Sequence, residues 1–223
     1  MLVEVDHDDI LLPECLNELN IAFQDQEIGF VYSDCAVYHM TDRFIPFNSA
    51  YGWTHKTIRW KGRDLISMDS FPPTSHSIAY IWYAPDHVRA WRSDVYRSIG
   101  GHNPELSICD DHELMIRTYL NAKMFHIPKT LYIYRITGEN TWLERNQQIQ
   151  DTTVKLCYEN VWDLACKDAK DRGLSIVELG GGINPRAGCD TNIDLEEGNV
   201  QWDLDNGIPL PDNSVGVLNA SHI

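Results

Sequence analysis

The sequence contains no run of about eighteen apolar residues, the length a helix needs to cross a bilayer, and no C-x-x-C pair. The first absence excludes a membrane-spanning helix and the second a zinc knuckle. The six cysteines (Cys15, Cys35, Cys109, Cys157, Cys166 and Cys189) lack the close spacing of a disulfide scaffold and read as reduced thiols. Basic residues are scarce, with 18 Lys and Arg against 33 Asp and Glu and a formal charge of -15. A sequence-independent grip on nucleic acid needs a concentrated Lys/Arg surface, so that partner class is excluded. The first residues show no charged segment followed by an apolar core and a cleavage site. Together these absences predict a cytoplasmic chain with no transmembrane segment, leaving only peripheral association with a membrane open.

What is present is an ordinary globular composition, 43% apolar over 223 residues, enough for one large domain or one and a half. Residues 2–5 end a strand, and Pro13 to Phe23 reads as a helix with Leu16, Leu19 and Phe23 inward. The β-branched and aromatic run IGFVYSDCAVY (28–38) predicts a strand. Residues 39–79, rich in Pro, Gly, Ser and Thr, predict a long irregular excursion with one short strand. Helices are expected over 90–99, closed by Gly100-Gly101, and over 109–122 with Leu114, Tyr119 and Leu120 inward. An extended segment follows over 123–136. A connecting helix is expected from Asn140 to Arg172, with Val154, Leu156, Val161 and Leu164 as its apolar stripe. Beyond it, SIVEL (175–179) and the short runs NID, QWDL and VGVLNAS predict closely spaced strands. This gives an α/β chain with a boundary near residue 172.

The stretch VEVDHDDILL crowds Asp6, Asp8 and Asp9 together, where each charge repels the next. Asp6 and Asp8 alternate with His7, so at an extended strand end they share one face, a suitable geometry for Mg²⁺ or Mn²⁺. Capping of the following helix by one aspartate, with the others solvated, is the competing explanation. A second acidic cluster, Asp110-Asp111, opens the 109–122 helix, where carboxylates also complement the helix dipole. Gly100-Gly101 permits close backbone approach to a ligand but equally serves as a helix C-cap. Trp91 reads as core or site lining, and Glu113 with Arg117 as a helix pair.

In order along the chain stand D-H-D-D, a helix after Pro, "GFVYSD", "WRSDVYRSIGG", "DDHELMIR" and "YIYR". This combination, over residues 2–142, resembles the family 2 glycosyltransferases of the GT-A fold. The resemblance implies a nucleotide-sugar donor, a glycan or other hydroxyl acceptor, and a metal ion on the donor diphosphate. It places Asp8 on the metal with Asp6, puts Asp6 and Asp9 toward the donor, and makes Asp111 the base of an inverting transfer. Gly100, Gly101, Asp110, Trp91 and Arg92 become candidates for the acceptor site. Two departures stand out: Thr137 occupies a position where many relatives place a histidine, and the strands that precede D-x-D are missing. A partial GT-A fold lacking its N-terminal strands is therefore expected.

Residues 176–223 resemble the opening of a class I S-adenosylmethionine-dependent methyltransferase. Glu178, Gly180 and Gly182 match its E-x-G-x-G turn, Asp194 the acid that binds ribose hydroxyls, and Asp203 the acid near the adenine. A dinucleotide oxidoreductase is the rival for such a turn, but Pro185 and the early arrival of Asp194 leave little room for the helix it needs. This segment is expected to be an incomplete Rossmann-like unit. The sequence thus divides into a glycosyltransferase part (1–142), a helical linker (143–173) and a methyltransferase-like part (174–223), as a fragment of a bifunctional enzyme. Two alternatives stand beside it: a non-catalytic saccharide-binding or degenerate fragment, and methyl transfer as the main activity.

Overall fold

The computed structural model describes residues 1–40 and 52–220. The part of the expected irregular excursion that covers 41–51 lies outside the described residues. Two compact units emerge, Met1–Glu159 and Asn160–Ile223, so the division falls inside the long helix α6 (Asn146–Asp171).

Unit 1 is built on β3 (Ile28–His39), whose apolar sequence is buried on both faces along nearly its whole length. On one side it pairs in parallel with β7 (Lys123–Ile136). On the other it pairs antiparallel with β6 (Arg89–Trp91) and then with β5 (Arg63–Met68). β1 (Leu2–Glu4) adds to β6, β2 (Ile10–Leu11) to β7, and β4 (His55–Trp60) to β5, giving a seven-stranded mixed sheet. Helix α1 (Cys15–Ala22) lays Cys15, Leu19 and Phe23 on Val31, Leu131 and Tyr132. Each such apolar side chain contributes about 1.5–3 kcal/mol when fully buried. The inward face expected at Leu16 is displaced by one position: Leu16 is exposed and Cys15 takes its place, because the helix starts at Cys15 and repeats at i+4.

Two expectations are corrected here. Within 52–79 the chain forms the β4–β5 hairpin and the short helix α2 (Ser75–Tyr80), rather than one strand in an irregular excursion. The hairpin turns at Lys61-Gly62, both at positive φ, and Thr74 with Ser77 makes a reciprocal cap for α2. The helix expected over 90–99 is a strand up to Trp91 followed by α3 (Ser93–Ser98). Ladders from β1 and β3 claim Arg89–Trp91 on both edges and override the helical periodicity. Helix α4 (Asp110–Asn121), the short α5 (Thr141–Glu144) and α6 fall where the sequence places helices, with Leu114, Met115, Ile116 and Tyr119 of α4 buried. On α6 the expected stripe keeps Leu156 and Leu164 buried, while Val154 is exposed.

Unit 2 is a four-stranded, wholly parallel sheet in the order β10 (Val200–Gln201), β9 (Thr191–Asp194), β8 (Ser175–Leu179), β11 (Val215–Ala220). No helix separates β8 from β9. Leu164, Cys166 and Ala169 of α6 are buried, and Cys166 and Ala169 pack with Ile176 of β8. All six cysteines are free, and among the described residues no helix is long and apolar enough to cross a membrane.

Candidate functional site

β1 runs parallel to β3 and β2 antiparallel to it, so the chain must reverse between Glu4 and Ile10. It does so through the acidic stretch, with the Asp9 N–H donating to the Asp6 carbonyl at 3.1 Å. The expectation that Asp6 and Asp8 share the face of an extended strand is therefore corrected: they lie on a turn forced by that reversal. β7 holds the turn from beneath. The Asp6 N–H donates to the Tyr132 hydroxyl at 3.1 Å, and the Asp9 carboxylate accepts the Arg135 N–H at 2.8 Å. Burial raises the Asp9 pKa, and the Arg135 N–H only partly offsets that. Asp9 is committed to fixing the turn, whereas Asp6 is exposed and the Asp8 side chain is 31% exposed.

Asp6 and Asp8 are the accessible carboxylates of this turn, and carboxylate oxygens are the donor type that a hard divalent cation takes. Among the described residues, no group of three or more His, Cys, Asp or Glu is arranged to hold a metal ion.

Two residues before Asp6, Glu4 stands opposite Arg89 in the β1–β6 ladder. Arg89 is wholly buried, a rare placement that requires full satisfaction of its donors. Nε donates to the Pro85 carbonyl at 2.8 Å, Nη2 to that of Tyr83 at 3.2 Å, and Nη1 to Asp111 Oδ2 at 3.0 Å. Glu4 Oε2 lies 3.7 Å from the same Nη1. Arg89 thereby links the strand leading into the acidic turn with the first turn of α4. Burial would raise the Glu4 pKa, but Arg89 and His102 outweigh it and hold the carboxyl down to about 2. His102 is pushed up to about 9 by its bonds to Glu4 and the Tyr96 hydroxyl, against some desolvation.

Around this network the remaining predicted residues find structural employment. Asp111 Oδ1 accepts the His112 N–H at 2.8 Å, and Asp110 sits beside it, half-buried. Trp91 is 1% exposed and gives its indole N–H to Thr118. Arg92 spends its guanidinium on the carbonyls of Phe23, Asp25 and Ile28. Gly100 and Gly101, at φ +88° and +65°, close α3, and a Cβ on Gly101 would lie 2.7 Å from the Tyr96 ring. Both glycines thus have a role in ending and packing α3. Glu113 pairs with Arg117, which also anchors the Ile99 and Gly101 carbonyls.

Sequence reasoning missed Glu4, Arg89 and Tyr132. The one signal was an arginine inside the apolar run V-R-A-W. Its pairing with Glu4 comes only from a ladder between distant segments.

In unit 2 the glycine-rich turn borders an open cleft of about 600 Å³, lined in part by Glu178, Gly181, Gly182, Asn184, Arg186 and Glu197. Gly180 and Gly182 adopt positive φ, +67° and +53°. A Cβ on Gly181 would lie 2.6 Å from the Glu178 side chain and 2.7 Å from Asn192 Oδ1. Buried Glu178 accepts from the Asn219 amide at 2.7 Å. Asp194 accepts the N–H groups of Glu196, Glu197 and Gly182, bonds that lower its pKa and fasten the turn to β9. Asp203 accepts from Asp205 N–H and caps the 3-10 turn Leu204–Asn206. No family model and no curated protein matches this chain.

Proposed function

We propose that unit 1 is part of a metal-dependent glycosyltransferase that moves a sugar from a nucleotide-sugar to an acceptor hydroxyl with inversion. One observation carries the reading: Arg89, bonded to Asp111 and lying beside Glu4, ties the accessible Asp6/Asp8 turn to the acidic start of α4. Such a transfer needs both ends of that link. At one end, Asp6 and Asp8 would hold Mn²⁺ or Mg²⁺, which supplies charge stabilisation for a departing diphosphate. At the other, the Asp110–Asp111 pair offers a carboxylate for the acceptor's proton. Tyr132 and Arg135 keep the donor-side turn in place through its backbone and Asp9.

The test is nucleoside diphosphate release from UDP-, GDP- and dTDP-sugars with Mn²⁺. Asp8→Ala is expected to lower release by about 10²-fold or more while Tm holds, because the side chain is surface-accessible. Normal release by Asp8→Ala would remove the donor assignment.

Unit 2 carries a second reading, binding of S-adenosylmethionine, favoured by the cleft beside the Gly180–Gly182 turn. Titration calorimetry with S-adenosylhomocysteine is expected to show binding that weakens about tenfold or more in Asp194→Ala, since both the turn and a ribose partner are lost. Binding of NAD in preference to S-adenosylhomocysteine would point to the oxidoreductase rival.

A further inference from the structure

The sequence offers two adjacent carboxylates at the start of α4, and the register of the resemblance favours Asp111 as the base. Their surroundings differ sharply. A guanidinium keeps its proton under all ordinary conditions, so buried Arg89 needs a permanent counter-charge. Asp111 supplies it at 3.0 Å, and Glu4 is farther, at 3.7 Å, and shared with His102. The second Asp111 oxygen already accepts the His112 N–H. A proton placed on Asp111 would discharge the closest partner of a fully buried cation. Asp110 has no such obligation: it is half-buried and makes no ion pair among the described residues. The charges that act on it are Asp111 on the same helix and His102 in the loop before it.

Resting on the glycosyltransferase reading, we infer that Asp110 takes the acceptor's proton, while Asp111 is a positioning residue that holds Arg89 and, through it, Glu4. In the transfer the acceptor oxygen bonds to the anomeric carbon as its proton passes to the Asp110 carboxylate. The bond from that carbon to the diphosphate oxygen breaks, and its electron pair leaves on the nucleoside diphosphate. Burial first, and the Asp111 charge second, raise the Asp110 pKa, the direction a base working near neutrality requires.

Carboxyl ¹³C shifts followed against pH in this chain test the assignment without turnover. Asp110 is expected to titrate above the ordinary aspartate range, and an Asp110 that titrates at or below that range overturns it. Asp111→Asn is expected to lower Tm by about 6 °C or more, and Asp110→Asn to leave it within about 2 °C. Equal losses of Tm would overturn the division of labour. In nucleoside diphosphate release from the same sugar panel, Asp110→Asn is expected to lower kcat about 10²–10⁴-fold at unchanged donor KM and to erase the acid limb of the pH–rate profile. Asp111→Asn is expected to keep that limb. An acid limb that vanishes in Asp111→Asn and survives in Asp110→Asn assigns the base to Asp111. Absence of release from the unsubstituted protein overturns the glycosyltransferase reading itself, whereas an Asp110 that does not titrate above the ordinary range overturns only the choice between the two carboxylates.

Discussion

Arg89→Met is expected to destabilise unit 1 by about 3–5 kcal/mol, the cost of removing one partner from a buried charge pair. The methionine chain fills much of the same space, so the loss is electrostatic rather than a cavity. Glu4 and Asp111 would then lie in a low-polarity region without the cation that compensates them. Glu4, now held down to about 2, would lose its main stabilising charge and rise in pKa. The carbonyls of Tyr83 and Pro85 would also lose their donors. Denaturant unfolding at neutral pH measures the change. Adding Asp111→Leu to Arg89→Met is expected to recover part of the loss, because an apolar pair leaves fewer buried charges than a broken ionic one. A single-variant loss below about 1 kcal/mol would place Arg89 at a solvated position, contrary to its complete burial.

The contrast between legible and hidden features follows from this cluster. Strands β3 and β8 were readable because burial on both faces leaves an apolar signature within one short window. Helix α4 was readable because its acidic first turn and buried Leu114, Met115 and Tyr119 lie on one segment. The α3 cap was readable from Gly100-Gly101. Hidden features all depended on partners far along the chain. β6 looks helical until β1 and β3 are placed beside it, and the Asp6–Asp9 turn looks extended until β2 is known to run back along β7. In the candidate site, the clustering of Asp6 and Asp8 and the acidic start of α4 at Asp110 and Asp111 were legible as residue types. The occupation of Asp111 by Arg89 was not, since 22 residues and two ladder pairings separate them. Asp194 is similar: its acidic type was readable, while its bonds to three backbone N–H groups came from the fold of the turn.

A second large effect is expected at Asp34, where one buried carboxylate joins three strands. Its side chain is 1% exposed, and it accepts from Lys56 Nζ at 2.6 Å, His126 Nε2 at 2.7 Å and the Ser70 N–H at 3.2 Å. Lys56 lies on β4, His126 on β7 and Asp34 on β3, so this carboxylate pins the β4–β5 hairpin to the spine of the sheet. Asp34→Asn is expected to cost about 2–3 kcal/mol at neutral pH, with Lys56 contributing little because it is partly solvated. Burial alone would raise the Asp34 pKa, but His126 and Lys56 reverse that and bring it below 3.8. A depressed folded-state pKa gives stability that is present above the unfolded value and lost as pH falls through the folded one. Glu4, lowered from 4.5 to about 2, acts in the same direction and sets the lower edge of the window. Stability should therefore be nearly flat just above pH 5 and fall steeply toward pH 2. Because the amide that replaces this carboxylate does not titrate, the gap between wild type and Asp34→Asn should narrow over the same window. A gap that stays constant down to about pH 2.5 would mean that Asp34 has the same pKa in the folded and unfolded chain, contrary to its lowering by His126 and Lys56, and a gap that widens as pH falls would mean that Asp34 enters the fold uncharged.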